Sequence, residues 1–147
     1  AETAASETFP FDFSYWTRAA RMGTHDGQEV LRRCNVVEEL RTALANCSVV
    51  VAFTGREGGN FRPPRVENRE LVGLLPQARR QSSMPGSSTG RLALVFGRED
   101  CGLRKGELMC CSHVCTLPTH ACSSLNLSQA VAVVLSRLFE ERSSLAS

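Results

Sequence analysis

Two short runs of consecutive apolar residues, rich in β-branched side chains, form the strongest pattern in the chain: residues 47–53 and 91–96. Neither run alternates with polar residues, so each is typical of a strand buried on both faces, as strands of parallel sheets are. A third run, residues 113–117, ends at Pro118, which cannot continue the hydrogen bonding of a central strand. These runs predict three strands of a parallel sheet.

Helical periodicity separates the three runs. Asn35 and Glu38 have the spacing of a capping box at the start of a helix whose apolar residues recur on one face. The longest helix is apolar nearly all round at residues 130–135, so we expect it to be covered by its own sheet and by a second subunit. Strands that alternate with helices at this spacing predict an α/β fold with a parallel sheet. The predicted helices are residues 35–44, 68–77, 103–111 and 124–141.

The length of 147 residues fits one domain. We assign residues 1–33 to an N-terminal extension and the start of the domain, and residues 34–147 to the domain itself. No run reaches the ~18 apolar residues of a membrane span. The chain begins with Ala1 and lacks a secretory apolar segment, which suggests a processed or excised form. An odd count of seven cysteines adds the expectation of an intracellular location, in the cytoplasm or in an organelle such as a mitochondrion or plastid.

Some of the cysteines raise the alternative of a zinc site. Ligand-type side chains cluster near residue 115, but the cluster lacks the paired C-x₂-C spacing of a structural zinc site. We therefore predict no metal and expect most of these cysteines to act as small buried hydrophobic residues. The cluster consists of Cys110, Cys111, His113, Cys115, His120 and Cys122.

The net charge of +2 is small, but sixteen of the seventeen basic residues are arginines. A guanidinium binds phosphate through a planar fork of donors. Arginines are frequent between residues 56 and 80, and Phe61 lies among them with a ring able to stack on an unpaired base. We predict RNA contacts at Arg56, Arg62 and Arg65; the alternative is a solvated arginine-rich surface.

Residues 94–103 form the first segment with the features of a ligand site. A strand is followed there by a turn with glycines, at the carboxyl end where open α/β sheets bind ligands. Gly97 would let the backbone approach a cofactor, and Glu99 is placed to accept hydrogen bonds. The alternative is that the glycines only make a tight turn.

Residues 117–128 form the second such segment. A polar loop leads into the longest helix, which Ser123 or Ser124 is predicted to cap. Free backbone amides at such a helix start can hold an adenine or a carboxylate. Asn126, in the first turn, offers both a donor and an acceptor.

Together these segments strongly resemble the second and third motifs of the SpoU–TrmH family of SPOUT-class RNA methyltransferases. The matching residues are 94–103, 117–119 and 123–131, and residues 46–56 look like the family's cofactor-side strand and loop. The resemblance is closest to the branch that methylates the tRNA anticodon loop, and it covers roughly residues 34–141.

The resemblance implies a SPOUT fold with a parallel sheet and a C-terminal trefoil knot. It implies S-adenosylmethionine as cofactor, 2′-O-methylation of a ribose in tRNA or rRNA, a homodimer, and no metal or membrane partner. Catalytic roles fall to Glu99 and Asn126, which would order the knot loops and the acceptor pocket. The cofactor would be held at Phe53, Thr54, Gly55, Gly97, Leu117, Ser123, Ser124 and Leu125.

The chain also departs from this family. We do not find the family's first motif, an Asn-x-Gly followed by a catalytic arginine, so we expect the first strand and helix to be missing. The loop between Pro118 and Ser123 is one residue shorter than in close relatives, which leaves the Leu117 assignment open by one position. Two other classes therefore stay open: a non-catalytic SPOUT-like RNA- or ribosome-binding protein, and an unrelated nucleotide-binding or zinc-stabilised module.

Overall fold

A computed structural model of the chain describes residue 18 and residues 21–56, 63–75, 90–120 and 125–144. Its contacts form two compact units, Ala1–Val37 and Glu38–Ser147. In the first unit, helix α1 (His25–Arg32) begins after Thr24, whose hydroxyl accepts a hydrogen bond from the Gly27 N–H. The domain boundary expected between residues 33 and 34 stays a prediction. Within the described ranges, no helix is long and apolar enough to cross a membrane.

The second unit contains a parallel sheet of four strands. They are β1 (Cys47–Phe53), β2 (Arg65–Val66), β3 (Arg91–Phe96) and β4 (His113–Cys115), in the order β2-β4-β1-β3. The predicted parallel α/β fold is thus confirmed, and β1 and β3 have the predicted bounds. β4 ends two residues before the predicted residue 117, and β2 was not predicted.

The register brings the carboxyl ends of the strands to one edge. Phe53 is paired with Phe96 of β3 on one side and with Cys115 of β4 on the other. Val66 of β2 is in turn paired with Cys115. The loops that follow β1, β3 and β4 therefore leave the sheet side by side, which is where ligands bind in open α/β sheets.

Both faces of β1 are buried, as its sequence predicts. Alternate residues of the strand enter two separate clusters, because successive side chains of a strand point to opposite faces. On one face Val49, Val51 and Phe53 pack with Leu71, Leu74, Cys115 and Val134. On the other face Val50 and Ala52 pack with Val95, Leu103, Leu108, Cys111 and Val114.

The helices are α2 (Leu40–Leu44), a 3₁₀ turn (Asn68–Glu70) continued by helical residues 71–75, α3 (Lys105–Leu108) and α4 (Leu127–Ser144). The predicted start of the first of these, at residue 35, is wrong. The helix begins five residues later, after Glu39, which makes no side-chain capping bond. Val36 and Val37 are 43% and 40% exposed and belong to neither buried cluster, so the core does not hold them in a helical turn. The predicted helix 103–111 is likewise shorter.

Helix α4 covers the sheet with one face. Among its described residues Val134 is buried. Val133, Leu135 and Phe139 are 44%, 51% and 73% exposed. A single sheet therefore leaves part of this apolar helix uncovered, as its sequence predicts.

Candidate functional site

A cleft of about 300 Å³ opens at the carboxyl ends of β1 and β3. It is bounded by the loops after β1, β3 and β4 and by the start of α4. The structure brings six of the eight predicted cofactor residues to its wall: Phe53, Thr54, Gly55, Gly97, Leu117 and Leu125. The other two, Ser123 and Ser124, lie outside the described residues.

Two stacked aromatic rings contribute to the wall of the cleft. Phe53 and Phe96 are the last residues of two adjacent strands, and their ring centroids lie 4.7 Å apart with the planes inclined by 8°. The cleft thus has two aromatic residues beside its polar loops. Phe96 was missed by sequence analysis; the parallel pairing of the two predicted strands would have pointed to it.

The loop after β3 folds tightly on itself. The Gly102 N–H donates to the Arg98 carbonyl oxygen at 2.9 Å, and Gly102 has a φ of 62°, which favours glycine. A Cβ on Gly97 would lie 2.5 Å from the Gly102 carbonyl carbon. Both glycines are therefore required by the loop itself, as the tight-turn alternative proposed. The resulting fold turns the backbone of residues 97–103 toward the cleft.

An ion pair ties this loop to α3. The Arg98 Nη2 atom lies 2.7 Å from the Glu107 Oε1 atom, and Nη1 lies 3.2 Å from Oε2. The Arg104 N–H donates to the same carboxylate at 2.7 Å. Both donors lower the pKa of Glu107, and the hydrogen bond from Arg98 has the larger effect. The same hydrogen bond raises the pKa of the Arg98 guanidinium. Glu107 is thus a positioning residue that sequence analysis did not single out.

A second contact joins the loops after β1 and β3. The Arg56 Nη2 atom donates to the Cys101 carbonyl oxygen at 2.9 Å, and the Arg56 N–H donates to the Thr54 hydroxyl at 3.2 Å. Arg56 and Cys101 both line the cleft. The guanidinium of Arg56 therefore forms a hydrogen bond within the protein, at the cleft. That Arg56 contacts RNA stays a prediction. Arg65 lies in β2, and Arg62 lies outside the described residues.

The two predicted catalytic residues have different surroundings. Glu99 is exposed and lines the cleft. Asn126 immediately precedes α4 and caps it: its Oδ1 atom accepts from the Ser128 N–H at 3.1 Å and from the Ser128 hydroxyl at 2.9 Å. The Ala130 N–H donates to the Asn126 carbonyl oxygen at 2.9 Å. Asn126 therefore fixes the start of α4, the helix whose residues Leu127 and Ala130 line the cleft. The catalytic roles of Glu99 and Asn126 stay predictions.

The cysteines near the sheet are free thiols. Burial raises the pKa of Cys111 and of Cys115 to about 11, so both are protonated at neutral pH. In the described part of the chain, no group of three or more His, Cys, Asp or Glu side chains is arranged to hold a metal ion. Cys122, a member of the cysteine cluster, lies outside that part.

Comparison with known proteins identifies relatives. The model of the SpoU rRNA Methylase family matches residues 8–136. The tRNA (cytidine-2'-O-)-methyltransferase TrmJ of Methanocaldococcus jannaschii is 28% identical over 127 residues, which cover 84% of this chain and 50% of that protein. The tRNA (cytidine/uridine-2'-O-)-methyltransferase TrmJ of Sodalis glossinidius is 36% identical over 107 residues, 72% of this chain and 38% of that protein. The chain thus spans half or less of the length of these relatives.

Solved structures of methylases also resemble this chain. A putative methylase family protein from Neisseria gonorrhoeae superposes with a TM-score of 0.62 and 33% identity, over 78% of this chain and 50% of that one. TrmJ from Z. mobilis superposes with a TM-score of 0.58 and 26% identity, over 78% of this chain and 46% of that one.

Proposed function

The chain belongs to the SpoU rRNA methylase family, and from that premise we propose that it is an S-adenosylmethionine-dependent methyltransferase acting on a ribose 2′-hydroxyl of tRNA. The observation that carries the proposal is the convergence of six predicted cofactor residues on one cleft at the ends of β1, β3 and β4. The names of the relatives support an enzyme and do not favour a non-catalytic RNA-binding protein.

The residues of the cleft fit the cofactor. Its volume of about 300 Å³ is at the lower end for small-molecule sites. The Phe53 and Phe96 rings offer apolar contact, and the loops at Thr54–Gly55 and residues 97–103 offer backbone donors and acceptors for the polar parts of a nucleoside. When bound, S-adenosylmethionine supplies an electrophilic methyl group on its sulfonium.

The chain's own contribution is to bind and orient the two reactants. Holding the ribose hydroxyl in line with the methyl group makes a bimolecular reaction effectively unimolecular. This proximity supplies much of the rate acceleration. The Arg56–Cys101 and Arg98–Glu107 contacts hold the loop that forms one wall. Glu99, exposed in that wall, is placed to order the acceptor, and Asn126 holds the start of α4. A positioned base or a phosphate-bound arginine assists loss of the hydroxyl proton.

Two features of the assembly belong to the same proposal. The loops after β3 and β4 would form the trefoil knot that the family resemblance implies. The exposed apolar residues of α4, Val133, Leu135 and Phe139, would be covered by a second copy of the chain, because apolar patches of this kind mark association sites.

The direct test is methyl transfer from labelled S-adenosylmethionine to total tRNA, followed by mapping of the modified nucleotide. The proposal predicts label at a ribose 2′-oxygen, in RNA that resists alkaline cleavage next to the modified residue. Label on a base would contradict the reaction assigned here. Cofactor binding without transfer to tRNA or rRNA would instead support the non-catalytic alternative.

A further inference from the structure

A second groove, of about 960 Å³, continues from the cleft across the carboxyl end of β4. The two spaces share Gly55, Leu117 and Thr119 as wall residues. The groove therefore adjoins the cleft. The remaining described residues of the groove wall come from β2, the 3₁₀ turn, residues 116–120 and α4.

The groove carries an uncompensated positive charge. Its wall contains Arg65, Arg69 and Arg137, opposed by Glu67 and Glu70. Arg69 is paired with Glu67 at 2.7 Å, and Glu70 accepts the Glu67 N–H at 2.8 Å. Arg137 differs from these residues: among the described residues its exposed guanidinium has no hydrogen bond or ion pair. A guanidinium placed in this way is suited to bind a phosphate from solution.

Asn68, a residue of the groove wall, carries a polar atom without a partner in the described part of the chain. The Asn68 Oδ1 atom is buried and has no hydrogen-bond partner among the described residues. Leaving such an atom unsatisfied is costly, so a turn of the Asn68 side chain toward a ligand N–H or O–H group in the groove would be favourable. A backbone phosphodiester has only acceptors at neutral pH, whereas a nucleotide of RNA also brings a ribose hydroxyl and base N–H groups.

We propose that this groove holds the RNA strand next to the methylated nucleotide, with Arg137 on a backbone phosphate and Asn68 accepting from a ribose or base donor. The inference rests on the proposed function, because that function places a ribose in the adjoining cleft. It keeps Arg65 among the expected RNA contacts, because Arg65 lines the groove, and it extends the expected contact surface to the middle of α4.

The test compares Arg137→Ala with Arg142→Ala. Arg142 lies on the same helix, also exposed and without a hydrogen bond or ion pair among the described residues, but it is absent from the groove wall. Total tRNA is titrated into each variant over a range of salt concentrations, and thermal melting checks that each is folded. We expect Arg137→Ala to bind about fivefold more weakly at low salt and to reduce the slope of log affinity against log salt by about 0.7–0.9. Arg142→Ala should match the wild type.

Equal slopes for the two variants would overturn the inference, as would a wild-type chain that binds no tRNA. If Arg137→Ala instead weakened binding of polyglutamate while leaving tRNA binding unchanged, the groove would belong to an acidic protein segment, and the inference would again be wrong. S-adenosylmethionine titrations of the same proteins separate the two proposals. If the salt slopes of the two variants differ but no cofactor binds, only the proposed function is contradicted. If the cofactor binds but the salt slopes are equal, only the proposed RNA groove is contradicted.

Discussion

The guanidinium of Arg56 donates a hydrogen bond to the carbonyl oxygen of Cys101 at 2.9 Å, and this contact joins two loops that are far apart in the sequence. Both residues line the cleft, one at the end of β1 and the other beyond β3. The distance between the loop after β1 and the loop after β3 therefore depends in part on the side chain of Arg56.

Replacing Arg56 by Ala should weaken cofactor binding. The cost is about 1 kcal/mol, or about fivefold in affinity, because the hydrogen bond is charge-assisted but solvent-exposed. Calorimetric titration with S-adenosylmethionine measures the change. Arg91→Ala is the control, since Arg91 is an exposed residue at the opposite end of β3. Unchanged affinity in a folded Arg56→Ala protein would show that the loops keep their spacing without this bond.

Replacing Gly97 by Ala should destabilise the protein by about 1–3 kcal/mol, because the new methyl group overlaps the backbone at Gly102. Gly106→Ala is the matched control: its Cβ meets no atom within 4 Å, and a helical alanine is better than glycine by up to about 1 kcal/mol. Urea denaturation measures both. A Gly97→Ala protein as stable as the wild type would mean that the loop after β3 follows another path.

The ion pair of Glu107 with Arg98 should make stability depend on pH in the acid range. The folded-state pKa of Glu107 lies below its ordinary value of 4.5, so its contribution is present above that value and is lost as the pH falls through the folded pKa. Glu107→Gln should therefore be less stable than the wild type at pH 7, and the two should converge in more acidic solution. A difference in unfolding free energy that is constant from pH 7 to pH 3 would contradict this.

The apolar face of α4 should make the chain a dimer in solution. Light scattering of the wild type should give twice the chain mass of 16.1 kDa, and Phe139→Glu should give the single mass because a carboxylate is costly to bury at an interface. Val36→Glu, a change at an exposed apolar residue outside α4, should leave the dimer intact. A wild-type monomer across micromolar concentrations would refute the dimer.

The central strands could be predicted from the sequence because burial on both faces leaves a continuous apolar run. Residues 47–53 and 91–96 have this pattern, and their ends align with β1 and β3. β2 could not be found in the same way, since Arg65 and Val66 carry no pattern of their own. Their pairing with Val114 and Cys115 depends on an edge that exists only in the folded sheet.

The sequence could predict the part of the candidate site that lies directly at the ends of the strands. Gly97 could be assigned because it follows a recognisable strand, whereas Phe53 was assigned through the family resemblance alone. The contact of Arg56 joins two loops that are far apart in the sequence, and the contact of Glu107 joins a loop to α3; no local spacing predicts either of them. The helix start predicted at Asn35 was wrong because a capping pattern cannot hold a turn whose apolar residues, Val36 and Val37, stay outside the buried clusters.

We propose that the cleft at the ends of β1, β3 and β4 binds S-adenosylmethionine. The most direct test of this proposal is isothermal titration calorimetry of the wild-type chain with this cofactor and with S-adenosylhomocysteine. We expect saturable binding of both compounds at one shared site per chain, with an affinity that is weakened in Arg56→Ala and unchanged in Arg137→Ala. The absence of binding of either compound to folded protein at high concentration would contradict it.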